Sequence, residues 1–430
     1  MAMHSVHRCR REIRRRTQQL RPTPYTRPAH RIRRQEELKD YARIDAYVFA
    51  NNNDAEVAEQ MGTTQPDWTM CAFVDGEMAT TMGMFPFTVR LNGAPVKMGG
   101  VTSVGTLPQF RRQGLLRKVM RQGLETMRDR GQSLAILWAS MGAIYQRFGY
   151  GLAASQVSYS FDPRFAQFQQ PRQVKGRVTM RSMDDGYPVV KQLYILAASQ
   201  RNLHIHRARA LWDASVFRPW NKDRVYIAVY DSPDGEPRGY VVYRTAEGQH
   251  TGPGPAQVMT VVDFVALDMD AYVGLWEYIR GHDLVGKVEM ANCVGEDDPA
   301  PDLLLEPRML NRRTSDAIWM RVVDAQQALP QRPYGDRGEI VLGLPVDDLC
   351  PWNAGNYLLE TDGRTTDVRR TERSASVTLT PNALASLLSG HRRATRLHRA
   401  GLIEAADDTA LRNADRLFAT VYAPHCPNGF

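Results

Sequence analysis

The residues best suited to chemistry in this 430-residue chain form the stretch Val104-Gly105-Thr106-Leu107-Pro108-Gln109-Phe110-Arg111-Arg112-Gln113-Gly114-Leu115-Leu116. It reads as the end of a strand, a loop carrying two guanidinium groups, and a glycine that opens a helix. The first turn of a helix leaves backbone N–H groups without intrahelical partners, and glycine at 114 lets an anion approach them closely. Arg111 and Arg112 add charge-assisted donors, so the pattern suits a diphosphate. A helix-end field contributes only about 0.3 to 1 kcal/mol per exposed anionic group, so amides and guanidinium groups must supply most of the grip. For two arginines and a glycine taken alone, a solvated basic turn is the plain alternative.

The elements around this loop decide between the two readings. A helical pattern over Glu36 to Asn51 places Leu38, Tyr41, Ile44, Tyr47 and Val48 on one face. A meander follows: strands at Met70 to Val74 and Met78 to Val89 about the turn Asp75-Gly76, then, after Asn92-Gly93, a strand at Val96 to Thr106 loosened by Gly99, Gly100 and Gly105. Beyond the loop, Leu116, Met120, Leu124 and Met127 recur at helical spacing, and Gly131 marks the stop. Leu134 to Trp138 is a continuous apolar run, as in a strand buried on both faces. A short helix near Ala143 to Phe148, the turn Gly149-Tyr150-Gly151 and a strand at Ser155 to Phe161 close the region.

The order recurs. Strands at Val225 to Tyr230, Arg238 to Arg244 and Val258 to Phe264 precede a helix at Met269 to Ile279, and the turns Asp75-Gly76 and Asp234-Gly235 lie 159 residues apart. The pattern supports an internal duplication. Under the same shift, Arg111, Arg112 and Gly114 correspond to Asp270, Ala271 and Val273, with Asp268 nearby. Carboxylates there repel a diphosphate, so the second unit is expected to be structural. Pro330 to Pro333 separates a last α+β region with strands at Glu339 to Leu344, Asn356 to Glu360, Asp367 to Arg370 and Ser376 to Thr380. Its helices start at Pro381, capped by Thr380, and at Asp407.

The element order and the loop resemble the GNAT acyltransferase family, whose loop is written Q/R-x-x-G-x-G/A. Arg111 and Gly114 match it, while Leu116 replaces the final small residue. Arg-Arg-Gln-Gly-Leu-Leu and the later stretch Ala139-Ser140-Met141-Gly142-Ala143-Ile144-Tyr145-Gln146-Arg147-Phe148-Gly149-Tyr150 resemble the enhanced intracellular survival (Eis) acetyltransferases over roughly residues 35 to 430. The resemblance implies an α+β fold: tandem GNAT-type mixed-sheet units followed by a sterol-carrier-like α+β domain. The divisions are an arginine-rich arm (1–34), a catalytic GNAT domain (35–165), a degenerate second one (170–325) and the sterol-carrier-like domain (330–430).

The resemblance also implies acetyl-coenzyme A as co-substrate, with no metal, and direct transfer to a primary amine of a small cationic or peptide-borne acceptor. Val104 and Thr106 would hold the pantetheine arm through main-chain groups, as an added strand would. Arg111, Arg112, Gly114 and Leu115 would hold the diphosphate, and Ser140 would lie on the cofactor side. Tyr145 would protonate the departing thiolate; a phenol with a pKa of about 10 stays protonated at neutral pH. The terminal carboxylate at Phe430 would serve as base or orienting group, a frayed end being the alternative. Phe49 and Phe85 are candidates for the acceptor wall. Eis-like proteins form hexamers, so a homo-oligomer is implied.

Composition limits the rivals. With 43% hydrophobic residues and no apolar run near the roughly 18 residues of a bilayer span, membrane insertion is not expected. Residues 1–34 hold eleven arginines against Glu12, a net +10 that leaves the rest of the chain at −2 of the total +8. That arm reads as disordered, and as a mis-called start, a solvated tail or a nucleic-acid or anionic-surface arm. Nucleic acid is not an expected partner of the acidic remainder. Cysteines 9, 71, 293, 350 and 426 show no C-x-x-C spacing, which fits a reducing cytoplasm. His204-Ile205-His206 lacks a companion ligand at metal spacing, so packing or surface histidines are the reading. Two other functions remain open: a tRNA-dependent aminoacyltransferase of tandem-GNAT type, and a non-enzymatic carrier of an apolar ligand.

Overall fold

The computed structural model describes residues 29–32, 34–50, 64–218, 224–249 and 253–430. They form two compact units: residues up to 84 with 103–123, and 85–102 with 124–430. Most of the arginine-rich arm lies outside the described residues. Its last described residues are packed, however, which corrects their assignment to a disordered segment. His30 exchanges backbone hydrogen bonds with Cys71 (both 2.9 Å) and stacks on Phe73, and the Ile32 amide donates to Thr69 Oγ1.

In the first unit, helix α1 (Gln35–Val48) turns Leu38, Tyr41 and Ile44 onto one face, which packs on Cys71, Phe73 and Met78. Cys71 is a fully buried core thiol. Strand β1 (Ala72–Val74) pairs antiparallel with the start of β2 (Glu77–Leu91), and the end of β3 (Ala94–Thr106) leads through Leu107 to Gly114 into helix α2 (Leu115–Asp129).

The second unit carries the rest of β2 and β3, followed by β4 (Leu134–Trp138), on the residues expected for it, helix α3 (Gly142–Gln146), β5 (Gly151–Leu152) and β6 (Ser155–Phe161). β3 and β4 pair in parallel from Met98↔Leu134 to Val101↔Leu137. Gly100 permits this packing: a Cβ there would fall 2.2 Å from the Phe87 ring.

β6 does not complete this sheet. It lies in a second, seven-stranded sheet, paired antiparallel with β11 and β12. That sheet is built from β7 (Arg177–Arg181), β8 (Tyr226–Asp231), β9 (Pro237–Ala246), β10 (Gln257–Ala266), β11 (Val285–Val294) and β12 (Arg313–Asp316), in the order β12-β6-β11-β10-β9-β8-β7. In return β13 (Ile318–Val322), absent from the sequence reading, crosses back to lie between β4 and β5. Helices α4 (Met183–Ala198) and α5 (Met269–Arg280) cover the second sheet, with Trp276 and Leu275 of α5 fully buried.

The last domain is a five-stranded sheet, β16-β15-β14-β17-β18, of β14 (Arg337–Leu344), β15 (Gly355–Asp362), β16 (Thr366–Arg370), β17 (Val377–Leu379) and β18 (Ile403–Ala405). Helices α6 (Pro381–Leu388) and α7 (Asp408–Leu417) accompany it, and Thr380 Oγ1 accepts the Ala383 amide at the start of α6. The segment expected to separate this domain is anchored, not a free linker. Pro330 lies inside a helix, Ala325–Gln331, and Arg332 is fully buried with its guanidinium on the carbonyls of Leu388 and Phe418. Among the described residues no helix is long and apolar enough to cross a membrane.

β13 is tied to the last domain by a buried ion pair. Arg321 Nη2 donates to Asp347 Oδ2 at 2.6 Å, and Asp347 also accepts from the Cys350 amide and Asn353 Nδ2. Removing one member of such a pair strands a buried charge. Asp347→Ala is therefore expected to destabilise the protein by about 3–5 kcal/mol in urea unfolding, and Arg321→Met with Asp347→Leu by less than either single change.

Candidate active site

In the first unit, the loop keeps the geometry of an anion site. Arg112 has a left-handed backbone, φ +64°, and so does Gly114, φ +79°. Such a conformation in an arginine costs about 1 kcal/mol or more, a local strain of the kind held at functional sites. A Cβ on Gly114 would meet nothing within 4 Å, so the glycine serves its backbone angle and leaves open space above it. The Gly114 carbonyl accepts the Lys118 amide, while the N–H groups of Gln113, Gly114, Leu115 and Leu116 have no acceptor among the described residues. Arg111 Nε donates to the Thr106 carbonyl (3.0 Å), bracing the loop against the strand end, and the Arg112 side chain is exposed. Thr106 Oγ1 lies 3.1 Å from Thr80 Oγ1, and Val104 is half-buried beside it on β3. This donor set fits the diphosphate of coenzyme A. Phe49, at the end of α1, is 42% exposed.

The second unit holds the tyrosine and the tail. Tyr145 is buried on α3, its ring edge-on to Tyr150 at 5.9 Å, and burial pushes its phenol up to about 12. The last domain fixes this turn: Asn382 Nδ2 donates to the carbonyls of Gln146 and Tyr150, both at 2.7 Å, and Ser386 Oγ to that of Leu152. Ser140 follows β4 and is exposed.

The chain's last residues are held, not frayed. Trp138 Nε1, at the end of β4, donates to the Asn428 carbonyl (2.8 Å). The fully buried Asn428 side chain accepts from Arg207 Nε at 3.1 Å, and Arg207 is itself buried in an ion pair with Asp263, whose Oδ2 also accepts from Tyr240. The Phe430 ring packs edge-on against Phe87 at 5.0 Å, and Phe85 lies 5.6 Å from Phe87. Sequence reading named Phe430 and Phe85 but missed Trp138, Arg207, Asn382 and Asn428. The distant partners of these side chains leave no local pattern.

The second acetyltransferase-like unit closes its equivalent helix start. β10 reaches α5 through Leu267 and Asp268 alone, so the 159-residue register fails at this point and the second unit has no counterpart of the loop. Asp268 Oδ1 accepts the Ala271 amide at 2.9 Å, filling the place an anion would take. His204 packs against the rings of Tyr194 and His425, and no metal-holding cluster occurs among the described residues.

Comparison with known proteins agrees with this geometry. Acetyltransferase (GNAT) domain models match residues 30–153 and 203–322, and a sterol carrier protein domain model matches 325–427. Two such domains in tandem, with one open helix start, define an acetyltransferase of GNAT type. A Streptomyces avermitilis protein named as an uncharacterized N-acetyltransferase is 28% identical over 90% of this chain and 96% of its own. N-acetyltransferase Eis of Mycobacterium tuberculosis is 28% identical over 75% and 78%. The crystal structure of Eis1 from Mycobacterium abscessus superposes with a TM-score of 0.78 at 27% identity, covering 94% of this chain and all of that one. The chain is an acetyltransferase of GNAT type, similar over most of its length to the Eis N-acetyltransferases.

The loop geometry carries a direct test. Arg112→Ala removes a charge-assisted donor of about 1.5–3 kcal/mol, so the Kd for coenzyme A is expected to rise about 10- to 100-fold in calorimetric titration. Gly114→Ala, strained at positive φ, is expected to weaken binding in the same direction.

Proposed function

We propose that the chain transfers acetyl from acetyl-coenzyme A to a primary amine of a small cationic or peptide-borne acceptor by direct attack in a ternary complex. The observation that carries the reading is the set of unpartnered amides at the start of α2 beside Arg111 and Arg112. Acetyl-coenzyme A supplies the activated thioester. The free amine attacks its carbonyl carbon, so that a C–N bond forms, the C–S bond breaks, the nitrogen loses a proton and the sulfur gains one. In this proposal Val104 and Thr106 offer main-chain groups to the pantetheine arm, the first turn from Gly114 and Leu115 holds the diphosphate, and Ser140 flanks the cofactor.

Tyr145 is the proposed general acid, a role that typically contributes about 10² to 10⁴ in rate. With Phe430 as the terminal residue, its carboxylate is the proposed group that orients the ammonium or takes its proton, supported by the seating of Asn428 and the Phe430 ring. Phe49 and Phe85 are proposed walls of the acceptor site. Assembly of several copies and residence in a reducing cytoplasm belong to the same proposal, and the described cysteines are all free, buried thiols.

The test is coenzyme A release across a panel of amines. Tyr145→Phe is expected to lower kcat by about 10² or more with little change in cofactor binding. A chain extended by a few residues past Phe430 is expected to lose most turnover; full activity would remove the terminal carboxylate from the mechanism. No release with any amine would refute the reading. The pH profile is a separate check. A general acid works while protonated, and burial places Tyr145 at about 12. kcat/KM should therefore rise as the acceptor amine deprotonates and show no downturn by about pH 10.5, where an ordinary tyrosine, near 10, would already be failing.

A further inference from the structure

The second acetyltransferase-like domain retains a cavity where its own catalytic cleft would be. β10 and β11 pair in parallel from Gln257↔Val285 to Val261↔Met290 and then part. Beyond that point β10 continues on β9 and β11 on β6, each across a register shift, and Asn292 takes φ +57°. The space between them is a cavity of about 290 Å³. At about 30 Å³ per water, that is room for a small organic molecule of roughly ten heavy atoms.

Its lining selects against anions. Asp268 occupies the helix start of α5, and two further carboxylates, Asp297 and Asp298, face the same space with one guanidinium, that of Arg201. Two of the three are neutralised: Asp268 pairs with Arg238 at 2.9 Å and Asp297 with Arg201 at 3.7 Å. Asp298 is different. It is half-buried and accepts from Tyr159 OH (2.9 Å), Tyr272 OH (3.0 Å) and the Ala300 amide (3.1 Å), all neutral donors. No lysine, arginine or histidine pairs with it among the described residues. The cavity's imidazoles do not supply the missing charge: burial holds His204 well below its ordinary value and His425 at about 4. Beside Asp298, Phe264 and Tyr272 stand edge to face at 5.6 Å and offer aromatic surface.

We infer that this cavity binds a small organic cation with an apolar body, its charge answered by Asp298 and its body by Phe264 and Tyr272. A carboxylate without a countercharge and aromatic rings lining a recess are the elements by which alkylammonium ions are recognised. Burial raises the Asp298 pKa, and a cation beside the carboxylate acts in the opposite direction, favouring its charged form. The cavity lies wholly within the second unit, and its use does not depend on acetyl transfer.

The probe is hexyltrimethylammonium, which has no N–H and is no acceptor for acetyl, titrated calorimetrically into the full chain beside hexanol and hexanoate. One molecule is expected to bind the unmodified chain and Tyr145→Phe alike. Binding should weaken at least about tenfold in Asp298→Asn, which keeps an acceptor for both tyrosines, and in Ala197→Trp, which fills the cavity from α4. Hexanol and hexanoate should bind at least about tenfold more weakly than the cation. Equal binding of hexanoate, or unchanged affinity in both cavity variants, would overturn the inference.

Discussion

The catalytic half depends on one electrostatic arrangement: amides left without acceptors at the first turn of α2, with two guanidinium groups on the loop before them. Any helix start has orphan N–H groups. What distinguishes this one is a loop long enough to bring Arg111 and Arg112 forward and a backbone, left-handed at residues 112 and 114, that keeps the amides uncovered. In the second domain the same strand-to-helix junction is reduced to Leu267 and Asp268, and the carboxylate of Asp268 satisfies the helix itself. The two helix starts thus differ in loop length, in the charge before the helix and in whether a side chain caps the first turn.

Two other parts of the chain hold the Tyr145 turn and the chain end. The last domain grips the turn after Tyr145 through Asn382 and Ser386. The second domain holds the chain end through Asp263, Arg207 and Asn428, the guanidinium lying over the rings of Tyr194 and Trp212. A buried ion pair adds little net stability because both charges lose water. Its value here is directional, since it leaves Arg207 Nε with one orientation for the Asn428 side chain.

Much of this was legible in the sequence because the signals are local. The Arg-Arg-Gln-Gly loop, the apolar run of β4, the Asp-Gly and Asn-Gly turns and the Thr380-Pro381 helix start each need only a few consecutive residues. The sheet to which β6 belongs was not legible, because alternation identifies a strand but not its neighbour. β13 escaped because Arg321, a charge inside a five-residue run, masks its burial, and that charge makes sense only once Asp347 is seen. The tail's anchors span 221 residues between Arg207 and Asn428 and 290 between Trp138 and Asn428, beyond any pattern read along the chain. The fixed 159-residue offset failed because the copies differ in the length of their connections, the junction into the helix running over 107–114 in the first and over 267–268 in the second.

The exchange of β6 for β13 has an evolutionary side. Each acetyltransferase-like sheet is finished by a strand that the chain contributes from the other copy, so neither copy can be cut away without opening a row of unpaired amides and carbonyls in its sibling. With the strands paired in this way, loss of either half would not be a neutral event. That mutual dependence gives a physical reason for a domain with a sealed helix start to persist in the molecule.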